Sequence, residues 1–307
     1  MKTYRIKQVN VFTSKPFSGN PAGVVLDARG LSDAHMQAIA REMNLSETAF
    51  ILPSTLSSAA MQIRWFTPAV EVPLCGHATV GGFHALAEEG MYGMKKPRAY
   101  AFRVQTKSGL LNVTVEKKYS GTVVDFEIPV PQFRRINRLP RPMLSALGLR
   151  TQDLHTLLPV VRNNYLYVPV RKLSTIKKLA PEYARLGELT RKANILGVCV
   201  FSLETLEESS AVHSRFFAPA VGLTEDPVTG SANGPLGVYL YKYVFDAGLD
   251  VPWFRLPDGR MEFIGEQGDE MKRKGRVKIR LGVHHNKVER VSIAGEAVTI
   301  YTAELKA

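Results

Sequence analysis

Cysteine is scarce: Cys75 and Cys199 are the only two in 307 residues, and they lie far apart. That excludes a disulfide framework and a zinc-ligand pattern, so a reducing compartment and no metal are expected. No apolar run approaches the roughly 18 residues of a membrane span. The start of the chain alternates Tyr4, Ile6, Val9 and Val11 with polar residues, a strand-like pattern without the apolar block of a secretory signal. A cytoplasmic protein with no membrane partner is expected. A disorder-prone composition is missing too, because 45% of residues are hydrophobic and 22% charged, enough apolar material to bury a core. Acidic residues are in deficit, 28 against 40 Lys and Arg, for a net charge of +12. That surplus raises nucleic acid, an anionic surface or an acidic substrate as partners.

The length suits two domains or one large barrel. Elements alternate along the chain. A turn-rich loop over residues 14–23 leads to a short apolar strand, and Leu31, Met36, Ile39 and Ala40 recur at helical spacing behind Ser32, a capping residue. Strands are expected over residues 45–52 and 61–66, a buried helix over 78–87 starting near Gly76 and His77, and strands over 101–104, 110–115 and 122–128. Pro129, Pro131, Pro140 and Pro142 then mark a linker. Beyond it the kinds of element repeat: a strand over 165–170, a helical stretch over 174–189, strands over 197–203 and 214–217, and a helix over 231–243.

The repetition is visible in the residues themselves. Residues 64–70, RWFTPAV, align with 215–221, RFFAPAV, five of seven being identical at an offset of 151. Gly76-His77-Ala78 aligns with Gly230-Ser231-Ala232 at 154, and Asn44 with Asn194 at 150, which places Glu47 opposite Gly197. Three ordered matches at nearly half the chain length indicate an internal duplication. Two copies related by a pseudo-twofold axis would set equivalent loops face to face across a cleft, a common place for a small-molecule site.

Each copy presents a glycine and a polar residue at the start of an apolar helix. The first N–H groups of a helix lack internal partners and attract anions, so Gly76-His77 and Gly230-Ser231 suit a carboxylate or a developing enolate oxygen. The plain alternative is that the glycines tighten turns and Ser231 caps its helix. His77 reads either as a proton or hydrogen-bond donor to substrate or as a helix cap. Asp226, in the segment EDPVTGSA, reads either as a substrate contact or as a turn residue before Pro227. Glu47 lies among Leu45, Ala49 and Phe50 in an expected strand and has no carboxyl counterpart in the second copy. Burial would raise its pKa and fit it for acid/base work, whereas an edge strand would turn it to water. Cys75, before Gly76, would be acidified at a helix N-terminus, but its counterpart is Thr229, which argues against a two-thiol racemase. Its plain reading, like that of Cys199, is a packing residue.

The segments GNPAGVV (19–25), LSETAF (45–50), LCGHAT (74–79) and EDPVTGSA (225–232) resemble, in order and over nearly the whole chain, the signature segments of the PhzF family of phenazine biosynthesis-like proteins. The resemblance implies an α+β, diaminopimelate-epimerase-like fold: two pseudo-twofold-related domains, each a mixed β-sheet or barrel around a central helix. Residues 1–128 would form the first, with 293–307 returning to it, and 129–292 the second. It also implies an isomerase similar to trans-2,3-dihydro-3-hydroxyanthranilate isomerase, acting by proton transfer without a cofactor, and a homodimer. Carried over, Glu47 matches the catalytic glutamate, His77, Asp226 and Ser231 match substrate-contacting positions, and Gly76 and Gly230 the anion-binding turns.

The leading expectation is therefore an isomerase that uses Glu47 to move a proton between carbons of a small, cyclic or unsaturated carboxylic acid. A thiol-based epimerase or dehydratase using Cys75 is the alternative. A nucleic-acid-binding protein is the reading from another class, prompted by the basic run over residues 272–280. There Arg276, Lys278 and Arg280 alternate with Val277, Ile279 and Leu281, a strand with one solvated face, and no aromatic residues interleave to stack on bases.

Overall fold

The computed structural model describes residues 2–306; Met1 and Ala307, which bound the expected first-domain segments, lie outside them. The chain divides into two compact units, one running through Glu127 and resuming at Ser292, the other spanning Ile128–Val291.

In the first unit the elements are β1 (Thr3–Val11), β2 (Asn20–Val25), α1 (Asp33–Met43), β3 (Thr48–Leu52), β4 (Met61–Phe66), β5 (Glu71–Val72), α2 (Gly76–Glu88), β6 (Arg98–Thr106), β7 (Gly109–Lys118) and β8 (Gly121–Ile128). The second unit holds β9 (Arg134–Ile136), α3 (Arg141–Ala146), β10 (Val160–Arg162), β11 (Tyr165–Pro169), α4 (Leu173–Lys177), α5 (Tyr183–Lys192), β12 (Gly197–Ser202), β13 (Val212–Ala218), β14 (Leu223–Asp226), α6 (Gly230–Tyr239), β15 (Phe254–Arg255), β16 (Met261–Gln267) and β17 (Gly275–His284). The last strand, β18 (Lys287–Lys306), begins in the second unit and ends in the first.

Strands of the first unit pair in the order β1, β2, β3, β4, β6, β7, β8, with β2–β3 and β4–β6 parallel and the others antiparallel. Helix α2 touches β1, β2, β3 and β7, so this ribbon curls round it. A helix walled on several sides must be apolar all round and slim, and residues 77–87 are all buried, with Ala, Gly, Thr and Val over its first two turns. In the second unit β10, β11, β12, β13, β16 and β17 pair in the same order, again with the second pair (β11–β12) and the fourth (β13–β16) parallel. Helix α6 packs on β17 so tightly that a Cβ at Gly237 would overlap Ile279.

The duplication extends to single interactions. Arg64 on β4 pairs with Glu71 at 2.8 Å and lies 5.2 Å over the Phe66 ring. Arg215 on β13 pairs with Glu225 at 2.7 Å and lies 5.1 Å over Phe217. Asn44 and Asn194, which follow α1 and α5, both adopt the left-handed conformation, at φ 49° and 50°. Asparagine tolerates that region better than other side chains, which explains its use at both helix ends. Ser32 caps α1 by accepting from the His35 N–H at 3.2 Å, and Met36, Ile39 and Ala40 bury one face, as their spacing predicts.

Three expectations need correction. The proline-rich stretch 129–142 is not only a linker: it contains β9, paired with β10, and the start of α3, where Pro142 occupies the first turn and loses no intrahelical bond. The single helical stretch 174–189 is two helices, because Pro181 cannot donate the N–H that would continue α4. The basic strand is not a solvated face. Arg280 is buried and paired with Glu262 at 2.7 Å, and Arg276 is held by Glu207 and Asp269, both at 3.0 Å. Lys274, Arg276 and Arg280, half of the six basic residues in the run that first suggested nucleic acid, are paired with carboxylates.

Candidate active site

The first unit brings three candidates together at the N-terminus of α2. Asn44 turns the chain out of α1, and residues 45–46 bend, so Glu47 stands immediately before β3 rather than within it. Its carbonyl nevertheless extends the pairing by accepting from the Gly23 N–H at 3.0 Å. The side chain is four-fifths covered, and Glu47 Oε2 lies 3.2 Å from His77 Nε2. His77, in the first turn of α2, is buried, with Ser46 Oγ 3.3 Å from the same nitrogen. Its other nitrogen, Nδ1, is 3.5 Å from Cys75 Sγ. His77 thus bridges carboxyl and thiol instead of capping its helix.

Burial pushes the Glu47 carboxyl above its ordinary pKa of 4.5, and contacts from Ser46 and Cys75 oppose that shift without cancelling it. Glu47 Oε2 is buried without a well-aligned hydrogen-bond donor among the described residues, so its position adjoining the imidazole is a close approach, not a satisfied bond. Burial of this kind favours the neutral acid over the carboxylate. The thiol, imidazole and carboxyl ligand atoms all lie within 4.8 Å of one another. Cys75 and Glu47, however, address opposite nitrogens of one ring, which suits a proton relay better than joint ligation of one ion. Gly76 is the first residue of α2, and the sulfur of its N-cap Cys75 faces His77 rather than the helix N–H groups.

The second unit assembles Asp226, Gly230 and Ser231 around the start of α6. Thr229, not Ser231, is the N-cap. Its hydroxyl donates to Asp226 Oδ2 at 2.5 Å, and the Asp226 side chain is buried beside it. Ser231 Oγ instead meets the hydroxyl of Tyr165 on β11 at 3.0 Å.

Two residues here escaped the sequence reading. Gln267, at the end of β16, accepts from the Thr229 N–H at 3.0 Å and donates to the Asp226 carbonyl at 2.9 Å, lacing the turn together. Tyr165 was legible only as a strand residue. A register comparison between the two copies would have singled it out, but that needs the strand pairing.

A hollow of about 460 Å³ in the first unit lies elsewhere, walled by Leu26, Pro53, Leu56 and Tyr92. Its acid and base, Asp27 and Arg29, pair with each other at 2.5 Å, and it contains none of the candidate residues. Among the described residues no helix is long and apolar enough to cross a membrane.

A family model described as phenazine biosynthesis-like protein matches residues 9–303. An uncharacterized isomerase of Clostridium acetobutylicum is 35% identical over 315 residues, covering 99% of both chains. The uncharacterized isomerase YfhB of Bacillus subtilis is 35% identical over 314 residues and 100% of both. Among solved structures, a PhzF-family phenazine biosynthesis protein of Bacillus anthracis superposes with a TM-score of 0.86 at 33% identity, covering 100% of each chain. A hydroxyproline epimerase of Agrobacterium vitis, at 12% identity and a TM-score of 0.61 over 99% of this chain and 91% of that one, shares the fold alone. The α+β, epimerase-like fold is therefore that of this chain.

Proposed function

Since the chain belongs to the PhzF family of phenazine biosynthesis-like proteins and is an isomerase, we propose that it moves a proton between carbons of a small, cyclic or unsaturated carboxylic acid, with Glu47 as the single acid/base. The observation that carries this reading is a buried carboxyl with a raised pKa, 3.2 Å from an imidazole at a helix N-terminus, with glycine in the equivalent place of the other copy. The ionised Glu47 removes a proton from one carbon, the electron pair of the broken C–H bond passes into the conjugated system, and the carboxylic acid so formed returns the proton to another carbon. Atoms and charge balance, and no co-reactant is required. His77 donates to the oxygen on which charge develops. The N–H groups at Gly76, and separately those at Gly230 and Ser231, are offered as carboxylate-binding groups, and Asp226 as a contact to a cationic or hydroxyl substituent through lone pairs that the Thr229 hydroxyl does not use. Two free cysteines suit a reducing, cytoplasmic setting, and a homodimer follows from the family resemblance alone.

A screen of small carboxylic acids for protein-catalysed exchange of carbon-bound hydrogen with deuterium oxide, read by NMR, tests the reading. Glu47→Gln is expected to lower exchange by about 10²- to 10⁴-fold while leaving binding intact. Full exchange in that variant would refute it. The 3.5 Å approach of Cys75 to His77 favours one second reading, a thiol-based epimerase or dehydratase, for which Cys75→Ala rather than Glu47→Gln abolishes turnover.

A further inference from the structure

The two copies differ where their strands pass the helix N-termini. In the second unit β11 and β12 place Tyr165 opposite Gly197. In the first, β2 and β3 place Gly23 opposite Thr48, which puts Ala22 opposite Glu47 one step back. Gly197 is the counterpart of Glu47, so Tyr165 is the counterpart of Ala22. A methyl beside a carboxyl in one copy is replaced by a phenol beside a hydrogen in the other. The exchange has a steric cause: any side chain at position 197 would overlap the ring of Phe216, and that ring supports Tyr165 edge to face at 5.0 Å. The outcome is a matching polar contact on each side. Glu47 reaches His77, the residue after Gly76, and Tyr165 reaches Ser231, the residue after Gly230, at 3.0 Å.

We propose that Tyr165 is a substrate-positioning residue: its O–H donates to Ser231 Oγ and leaves the serine proton, with the adjoining N–H groups of α6, aimed at a substrate carboxylate. Hydrogen bonds in such a chain polarise one another, so the serine is a stronger donor than alone. This rests on the reading that the Gly230-Ser231 turn receives the carboxylate. Tyr165 acts through Ser231 and touches no reacting atom.

The test is a double-mutant cycle on benzoate binding, measured by calorimetry or NMR titration. Tyr165→Phe keeps the ring on Phe216 and is expected to weaken benzoate roughly three- to tenfold, the effect of one hydrogen bond, with an unchanged melting temperature. Ser231→Ala is expected to weaken it at least as much, and the double variant no further. Ser231→Thr, which keeps a hydroxyl, should remain sensitive to Tyr165→Phe. A purely structural tyrosine would give losses that add. Additive losses, unchanged affinity in Tyr165→Phe, or no saturable benzoate binding by the unaltered protein each overturn the proposal. Deuterium exchange reads the proton-transfer mechanism and benzoate titration reads this cycle, so a failure of the one is distinguishable from a failure of the other.

Discussion

His213 on β13 is a fully buried imidazole whose Nδ1 lies 2.8 Å from Glu266 and whose Nε2 lies 3.0 Å from Glu270. Glu266 also accepts the N–H groups of Leu206 and Glu207, both at 2.8 Å, so the cluster anchors the loop between β12 and β13. Burial alone would lower the histidine pKa, but the two carboxylates outweigh it and raise it from 6.5 to about 9. Burial would raise that of Glu266, yet His213 and the backbone donors bring it down to about 2. Because the folded pKa of His213 lies above its unfolded value, its stabilisation is complete below pH 6.5, declines as pH rises, and is gone above about pH 9. A shift of this size corresponds to at most about 3 kcal/mol, or up to roughly three-hundredfold in the local opening equilibrium. Hydrogen exchange of the Leu206 and Glu207 amides, corrected for its intrinsic pH dependence, is expected to lose that protection between pH 6.5 and 9.5, with β3 amides of the other unit as the control. In His213→Gln the pH step should vanish and protection should be low throughout. Equal pH dependence of the loop and β3 amides in the unaltered protein would refute the charged-imidazole account.

Glu47 supplies a prediction of opposite character. Its raised pKa means that the neutral acid is the form favoured by folding, so stability is lost as pH rises through the folded pKa; Glu47→Gln should match the unaltered protein below about pH 4 and melt higher than it at pH 8 in a thermal scan. Gly197→Ala should destabilise by about 1–3 kcal/mol in urea unfolding, since its methyl must displace Phe216; a neutral result would mean that the ring is loosely held. Arg215→Met should cost about 3–5 kcal/mol, because it leaves Glu225 and the Ile176 and Leu179 carbonyls without their donor. The repeat-related Arg64→Met should cost less, as one of its partners, Asp33, is exposed. In the exchange assay Cys75→Ala should retain most activity if Glu47 is the base, and complete loss would transfer the role to the thiol.

Much of the fold was legible because packing in this chain is periodic and repeated. The small-residue run from Gly76 to Ala87 foretold a helix walled on several sides, Ser32 foretold the start of α1, and the RWFTPAV and RFFAPAV segments foretold two strands that prove equivalent down to their arginine–glutamate pairs. Proline misled at 129–142 and was passed over at 181, because whether it interrupts an element or starts one depends on which N–H group is lost. The basic alternation over 276–281 misled for a related reason. Period two places residues on alternate faces, but it does not say whether the polar face meets water or the carboxylates of another strand.

Composition and residue order by themselves determined the class of the molecule: enough apolar residues for a core, too few cysteines for staples, and a duplication offset of 150 to 154. They also singled out Glu47 as the carboxyl without a counterpart. Tertiary structure alone decided what surrounds each residue. It set Cys75 and Glu47 on opposite nitrogens of His77, turned Asp226 onto Thr229, and showed Tyr165 in the place of Ala22, reaching Ser231. These relations depend on strand register and on volumes traded between side chains distant in sequence. Register and volume are settled only when the strands pair and the core closes, and no local pattern of residues encodes them.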